Sequence, residues 1–373
     1  MKDVRSYNNT EVFFSLLRAG LWEGINENEN HFEGLDWGEA QKLAEEHSVV
    51  GLVAAGLEKL PAGILPLTEK LKFLGKCQLI EQQNVAMNRF VADLVKKMQD
   101  AGIKVVLVKG QGVAQCYERP LWRSSGDVDF LFDDENYAKA KALLLPMANK
   151  VDPERGKHYG MAIGPWTVEL HGYLLCGLSR RMNKVIEDVQ HAVFRGGKKR
   201  TWKDGDVSVD LPAADEDVIF VFTHFLKHFY RDGFGIKQVC DWCRLLWIYR
   251  DTLDVQLLEQ RLRTMRLMTE WKAFAAFAVD WLGMPIEAMS LYDGSNRWKR
   301  KAKRIEDFVI KSGEFGQERA IKYTERSYIS QKMHSMLLRI RDSFHHVSIF
   351  PLDTMRFMPN IILNGLRSAA RGE

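Results

Sequence analysis

IKVVLVKGQGVAQCYERPLWRSSGDVDFL, residues 103–131, is the stretch that decides the predicted fold. A short β-branched apolar run at 105–108, bounded by glycine, predicts a buried strand. Lys109-Gly110 then turns the chain into a short helix predicted over 110–117, and a second strand is predicted over 127–132. Two strands around a short helix predict a small α/β unit with polar residues at its turns.

Two carboxylates open the second predicted strand. Side chains alternate along a strand, so Asp127 and Asp129 share one face, with Cα atoms roughly 6 to 7 Å apart. At an effective dielectric of about 20, two such charges repel by on the order of 2 to 3 kcal/mol. Lys109, Arg123 or a divalent cation would offset that repulsion. The alternative is a polar strand start after a Ser-Ser-Gly turn.

The surrounding pattern resembles the polymerase-β-type nucleotidyltransferases, and more narrowly their uncharacterised bacterial branch. The resemblance covers roughly the middle of the chain. One departure is the turn, where the wider superfamily usually has Gly-Ser and this chain has Gly110-Gln111. The matching segments are Val108-Lys109-Gly110, Arg123, Asp127-Val128-Asp129-Phe130-Leu131, Glu169-Leu170-His171, His224, His228 and residues 235–242.

The resemblance implies a two-metal enzyme that moves a nucleoside monophosphate from a nucleoside triphosphate to a hydroxyl-bearing acceptor, with release of pyrophosphate. Asp127 and Asp129 would bind both ions, Mg²⁺ or Mn²⁺, and Glu169 would bind the ion that activates the acceptor or act as its general base. Asp241 would hold Lys237 or a histidine. The implied nucleotide-binding residues are Lys109, Gly110, Gln111, Arg123, Ser124 and Ser125, and those implied to line the cleft are His171, His224, His228, Lys237 and Asp241.

The pattern along the 373 residues predicts an α+β fold, with a small mixed sheet flanked by mainly helical regions. Three units are predicted: a helical segment at 1–100 that packs on the core, a nucleotidyltransferase-like core at 101–212 and a helical domain at 213–373. Helices are expected at 11–19, 37–46, 67–99, 134–145, 215–230, 236–249, 254–265, 267–282, 296–312 and 325–341. Further strands are expected at 159–163, 166–171 and 207–211, and an exposed turn at 195–200.

Amino-acid composition and terminal sequence limit which binding partners and which cellular compartment we expect. The 53 basic and 49 acidic residues give a net charge of +4, which neither favours nor excludes RNA as the acceptor, beside a small molecule or a protein. The N-terminus does not resemble a signal peptide, and we expect no membrane-spanning helix. Five scattered cysteines fit a reducing cytoplasm better than a disulfide framework.

Other interpretations of single motifs stay open at this stage. Gly110-x-Gly112 after a strand is a partial dinucleotide-binding signature. Cys240 and Cys243 have metal or redox spacing but no second pair, and His224 and His228 are one helical turn apart. The basic run at 297–304 is either a solvated helix face or a guide for RNA. The same fold would also suit a toxin that modifies tRNA ends, or a nucleotide-binding scaffold without turnover.

Overall fold

The computed structural model describes residues 9–24, 36–61, 63–174, 176–231, 235–312 and 345–370. Its strands are β1 (Val106–Val108), β2 (Asp127–Leu131), β3 (Lys150–Val151), β4 (His158–Ile163), β5 (Trp166–His171), β6 (Lys199–Asp204) and β7 (Val207–Pro212). Its helices are α1 (Asn9–Leu21), α2 (Trp37–Glu46), α3 (Val50–Leu57), α4 (Leu67–Asp100), α5 (Gly110–Ala114), α6 (Asp134–Leu144), α7 (Arg180–Phe194), α8 (Ala214–Arg231), α9 (Ile236–Tyr249), α10 (Val255–Met265), α11 (Met268–Leu282), α12 (Asn296–Ser312) and a last helix, Pro351–Ala370.

The larger sheet has five strands in the order β1-β2-β5-β4-β3. β2 and β5 run parallel, while the other neighbouring pairs are antiparallel. The mixed sheet with helical flanks confirms the predicted fold class. Because β1 and β2 are antiparallel, the Gly110-x-Gly112 motif does not sit in a parallel βαβ unit, and the dinucleotide-binding interpretation is wrong.

One face of this sheet is covered by α4 and α6. Apolar residues of α4, among them Met87, Val91 and Leu94, pack with Val128 and Phe130 of β2 in one buried cluster. Alternation along β2 therefore turns Asp127 and Asp129 to the opposite face. At about 1.5 Å per residue the 34-residue α4 is roughly 50 Å long.

The other helices form a second, larger core that joins the two ends of the described chain. Apolar residues of α1 and α3 lie in the same buried cluster as those of α8, α9 and α11. The Trp22 indole donates a hydrogen bond to the Leu282 carbonyl at 2.5 Å, and Arg244 donates to the Leu21 carbonyl at 2.9 Å. The C-terminal end of α1 is thus held to α9 and α11 by buried polar contacts as well as by apolar packing.

Most predicted elements agree with the structure, and the differences have local causes. α3, α7 and β3 were not predicted, and β6 occupies part of the stretch expected to be an exposed turn. In β6 the sequence KRTWKD carries charges on both faces and pairs only with β7, so it lacks the apolar alternation that indicates a strand. The helix expected at 325–341 and the break expected around 232–234 lie outside the described residues. Within the described ranges, no helix is both long and apolar enough to cross a bilayer.

Candidate active site

Three carboxylates meet on the face of the sheet that α4 does not cover. Asp129 lies directly beside Glu169 in the parallel register of β2 and β5, and Asp127 is two residues earlier on β2. The ligand oxygens of all three lie within 4.8 Å of one another. The structure therefore brings together the three acidic residues that the sequence placed on two different strands, and this spacing is short enough for a shared cation.

Asp129 is the most buried of the three, and two basic side chains share one of its oxygens. Lys109 Nζ and His171 Nε2 each lie 2.7 Å from Asp129 Oδ1. Burial raises the pKa of Asp129, but the Lys109 charge and the His171 hydrogen bond outweigh it, so the pKa lies below its ordinary value. In both basic partners burial acts to lower the pKa, and the contacts with Asp129 raise it overall.

The other two carboxylates have contrasting surroundings. His158 Nε2 and His171 Nε2 lie 3.0 and 3.4 Å from Glu169 Oε2, and these hydrogen bonds lower the pKa of Glu169. Asp127 has solvent-exposed surface, but its carboxylate lies in the cleft wall, and its pKa is raised first by the charge of Asp129 and second by the partial burial of the carboxylate. The negative potential at Asp127 is thus not fully neutralised by the protein, which suits a bound divalent cation.

Lys109 reaches Asp129 because the backbone between β1 and α5 is strained. Lys109 has φ 59° and ψ −148°, a region that residues with a side chain rarely adopt, at a cost of about 1 to 3 kcal/mol. Gly110 follows with φ 39°, and a Cβ there would lie 3.4 Å from the Asp127 carbonyl oxygen. The turn therefore holds an ammonium group against the carboxylates. Helix α5 has only five residues, shorter than the 110–117 predicted.

Arg123 is held by a buried ion pair with α9. Its Nε and Nη2 donate to the two oxygens of Asp241, both at 2.7 Å, and the Tyr117 hydroxyl donates to Asp241 Oδ1 at 2.7 Å. Arg123 Nη1 donates to Ser125 Oγ at 2.9 Å and to the Ser124 carbonyl at 3.3 Å. The sequence suggested Lys237 or a histidine as the partner of Asp241, and the structure shows Arg123 and Tyr117. Arg123 therefore positions the loop before β2.

Gln111 takes part in the same loop network from behind the cleft. It is buried, and its amide oxygen accepts a hydrogen bond from Ser125 Oγ at 3.0 Å. Its Nε2 donates to Asn84 Oδ1 at 3.1 Å, and Asn84 Nδ2 donates to the Arg123 carbonyl at 2.8 Å. The non-standard Gly-Gln turn thus has a positioning role that ties α4 to the loop.

A cleft of about 190 Å³ lies between the carboxylates and helices α8 and α9. Pockets that enclose a whole drug-sized ligand measure roughly 300 to 1,000 Å³, so this cleft would enclose only part of a nucleotide. His224 and His228 contact each other there at 3.1 Å between Nε2 atoms, and burial, then the Lys109 charge, hold the pKa of His224 well below its ordinary value. Residues from the predicted site that line the cleft are Lys109, Gly110, Arg123, Ser125, Asp127, Asp129, His224, His228, Lys237 and Asp241.

Sequence reasoning missed His158, Tyr117 and Asn84. His158 could have been found, because the two-residue turn Gly164-Pro165 sets the register of β4 and β5 and places His158 opposite His171. Tyr117 and Asn84 had no such signal, since their contacts depend on how α9 and α4 pack against the loop.

Two motifs with other possible roles have ordinary structural explanations. Cys240 and Cys243 are free, fully buried thiols of the α9 core, and burial raises the pKa of each. Most of the basic run lies on the solvent side of α12, whose opposite side buries Trp298, Ala302 and Ile305, while Lys301 is half-buried and donates a hydrogen bond to the Ile349 carbonyl.

Comparisons with known proteins show the family to which this chain is similar. Residues 33–283 match the model of a family described as uncharacterised nucleotidyltransferase, a range that contains every candidate site residue. A search of curated proteins finds no match. Among solved structures, the chain is similar to an antigenic nucleotidyltransferase-like protein from Paracoccidioides brasiliensis, with 14% identity, a TM-score of 0.32, and coverage of 53% of this chain and 92% of that chain.

Proposed function

Because the chain belongs to the uncharacterised nucleotidyltransferase family, we propose that it transfers a nucleoside monophosphate from a nucleoside triphosphate to an acceptor hydroxyl. The acceptor oxygen attacks the α-phosphorus, the bond from that phosphorus to the bridging oxygen of the β-phosphate breaks, and pyrophosphate leaves. The five free thiols agree with a cytoplasmic enzyme.

One observation carries the proposal: the oxygens of Asp127, Asp129 and Glu169 lie within 4.8 Å of one another beside an open cleft. Three acidic groups this close are costly unless positive charge offsets them. Lys109 and His171 supply part of this positive charge at Asp129. The raised pKa of Asp127 indicates that repulsion between the carboxylates remains there. The donor set is made of carboxylate oxygens, which suit Mg²⁺ or Mn²⁺.

The ions would be held by Asp127, Asp129 and Glu169, and when bound they supply charge that stabilises the triphosphate and the attacking oxygen. Lys109 lines the cleft with its ammonium on Asp129, so it is placed to move to a phosphate oxygen when a cation takes over the carboxylate. The lowered pKa of Glu169 makes it a weak general base, which favours its role as a ligand.

The test is transfer of label from nucleotides carrying ³²P at the α-phosphate. The protein is incubated with each of the NTPs, Mg²⁺ or Mn²⁺ and cell extract, and RNA, protein and small molecules are separated and counted. We expect label in one fraction, equimolar pyrophosphate, and no label when the ³²P is at the γ-phosphate. Asp129→Asn should abolish transfer, while Asp93→Asn, an exposed change on α4, should retain it.

Two outcomes would contradict the proposal. Nucleotide binding by calorimetry with no transfer from any NTP would indicate a binding protein without turnover. Transfer that persists in Asp129→Asn would place the chemistry elsewhere.

Label in the RNA fraction, with growth arrest on expression that Asp129→Ala removes, would identify a tRNA-directed toxin.

A further inference from the structure

A second group of metal-ligating side chains shares Glu169 with the group formed by the two aspartates. The group consists of His158, Glu169 and His171, whose ligand atoms all lie within 4.8 Å of one another. Both imidazoles turn Nε2 toward the same carboxylate oxygen, at 3.0 Å for His158 and 3.4 Å for His171. Their ring centroids are 4.7 Å apart. Two nitrogens and an oxygen thus already converge on one small volume.

The backbone holds this group in place. His158 is directly opposite His171 in the antiparallel register of β4 and β5. Next to them, the Gly172 amide donates to the Lys157 carbonyl at 2.7 Å, and Arg155 and His158 exchange backbone hydrogen bonds of 3.0 and 3.2 Å. The three donors therefore come from two paired strands, a more rigid support than a loop.

Solvent can reach the group without any movement of the core. The His158 side chain is 38% exposed and that of Glu169 29%, while His171 behind them is 13% exposed. His171 Nε2 also contacts Asp129, but Asp129 keeps its 2.7 Å contact with Lys109 if His171 turns to an ion. Binding would thus leave Asp129, the most buried of the three carboxylates, paired with Lys109.

The donor chemistry selects the kind of ion. Imidazole nitrogen suits Zn²⁺ and other transition ions, whereas Mg²⁺ prefers oxygen ligands and gives up its water reluctantly. Two histidines and one glutamate are a common protein ligand set for Zn²⁺ with one position left open. We infer that His158, Glu169 and His171 form a binding site for a divalent transition ion such as Zn²⁺, and that Glu169 is shared between this site and the all-oxygen site of Asp127 and Asp129.

Zn²⁺ binding to the full chain, measured by calorimetry in excess Mg²⁺ and without nucleotide, tests the site. We expect one tight Zn²⁺ that Mg²⁺ does not displace. His158→Gln changes a half-exposed side chain and should not disturb folding. It should weaken Zn²⁺ binding at least about tenfold, because loss of a residue that only supports a metal ligand already lowers metal affinity by about 10- to 100-fold. His224→Gln is the matched control, since it removes an imidazole from the other histidine pair, and it should leave the affinity unchanged.

Co²⁺ provides a second readout, because its visible absorption changes with nitrogen ligation and coordination number. The wild-type spectrum should change in His158→Gln and persist in His224→Gln. Equal Zn²⁺ affinity in the two variants, or displacement of Zn²⁺ by Mg²⁺, would overturn the inference and leave a hydrogen-bonded cluster without a transition ion. Nucleotide transfer would still stand in that case, because ion binding here is measured without nucleotide.

Discussion

Removal of one partner from the buried ion pair between Arg123 and Asp241 should cost more stability than the same change in an exposed ion pair. Their side chains are 6% and 9% exposed, and two hydrogen bonds of 2.7 Å join them. Asp241→Asn leaves the Arg123 guanidinium buried beside a neutral amide, whose single oxygen can accept only one of the two hydrogen bonds that the carboxylate accepted. Breaking a buried pair at one partner costs about 3 to 5 kcal/mol, and we expect about 3 kcal/mol because Asn still accepts one bond.

Urea unfolding at neutral pH measures this loss in the free energy of unfolding. The control is Glu259→Gln, which breaks the exposed pair with Arg263 one helical turn away and should cost less than about 0.5 kcal/mol. The double change Arg123→Met with Asp241→Leu removes both charges and should cost less than Asp241→Asn alone, since no buried charge is left unpaired. Equal effects of Asp241→Asn and Glu259→Gln would refute the reasoning.

Three further predictions concern stability without bound ions. Asp127→Asn should stabilise the protein against urea by about 1 kcal/mol at neutral pH, because it removes the repulsion from Asp129 at a site that solvent partly screens. Since the pKa of Asp127 is raised in the folded state, this gain should vanish below about pH 4, and Asp93→Asn should show no gain at any pH. Lys109→Gly should be more stable than Lys109→Ala by about 1 kcal/mol in urea unfolding, because glycine tolerates the φ of 59°, and equal stabilities would show that the turn relaxes. Burial lowers the pKa of His47 to about 4, so this residue should reduce wild-type stability by up to about 3 kcal/mol as pH drops from about 6.5 toward 4. His47→Leu should make the slope shallower but not remove it, because His224 and His346 also have lowered pKa values; a slope unchanged in His47→Leu would assign it to other groups.

The site could be predicted as far as local periodicity extends. The pleat of a strand places every second residue on one face, so Asp127 and Asp129 could be paired, and Glu169 with His171, from spacing alone. The resemblance implied that Glu169 is the third carboxylate of the site, and the structure shows the parallel register that places it beside Asp129. Whether they bind metal and nucleotide remains a prediction, which the transfer assay tests.

His158 shows which part of the site could be predicted from the sequence and which part only the structure reveals. Its position opposite His171 follows from a two-residue turn and was available from the sequence, although it was not used. Its contact with Glu169 required the side chains to turn toward each other across two strands. The strained backbone of Lys109 could not be predicted from the sequence, because nothing in a Lys-Gly pair by itself requires a positive φ at the lysine.

By itself the sequence determined the fold class, the bounds of helices such as α9 and α12, and the face of each strand that carries carboxylates, because these depend on the spacing of neighbours along the chain. Only the tertiary structure decided which charges meet. Arg123 was expected to face phosphate, yet it pairs with Asp241, 118 residues away, because α9 packs against the loop before β2. The periodicity of a helix tells which side is buried, but not which distant side chain it will meet there.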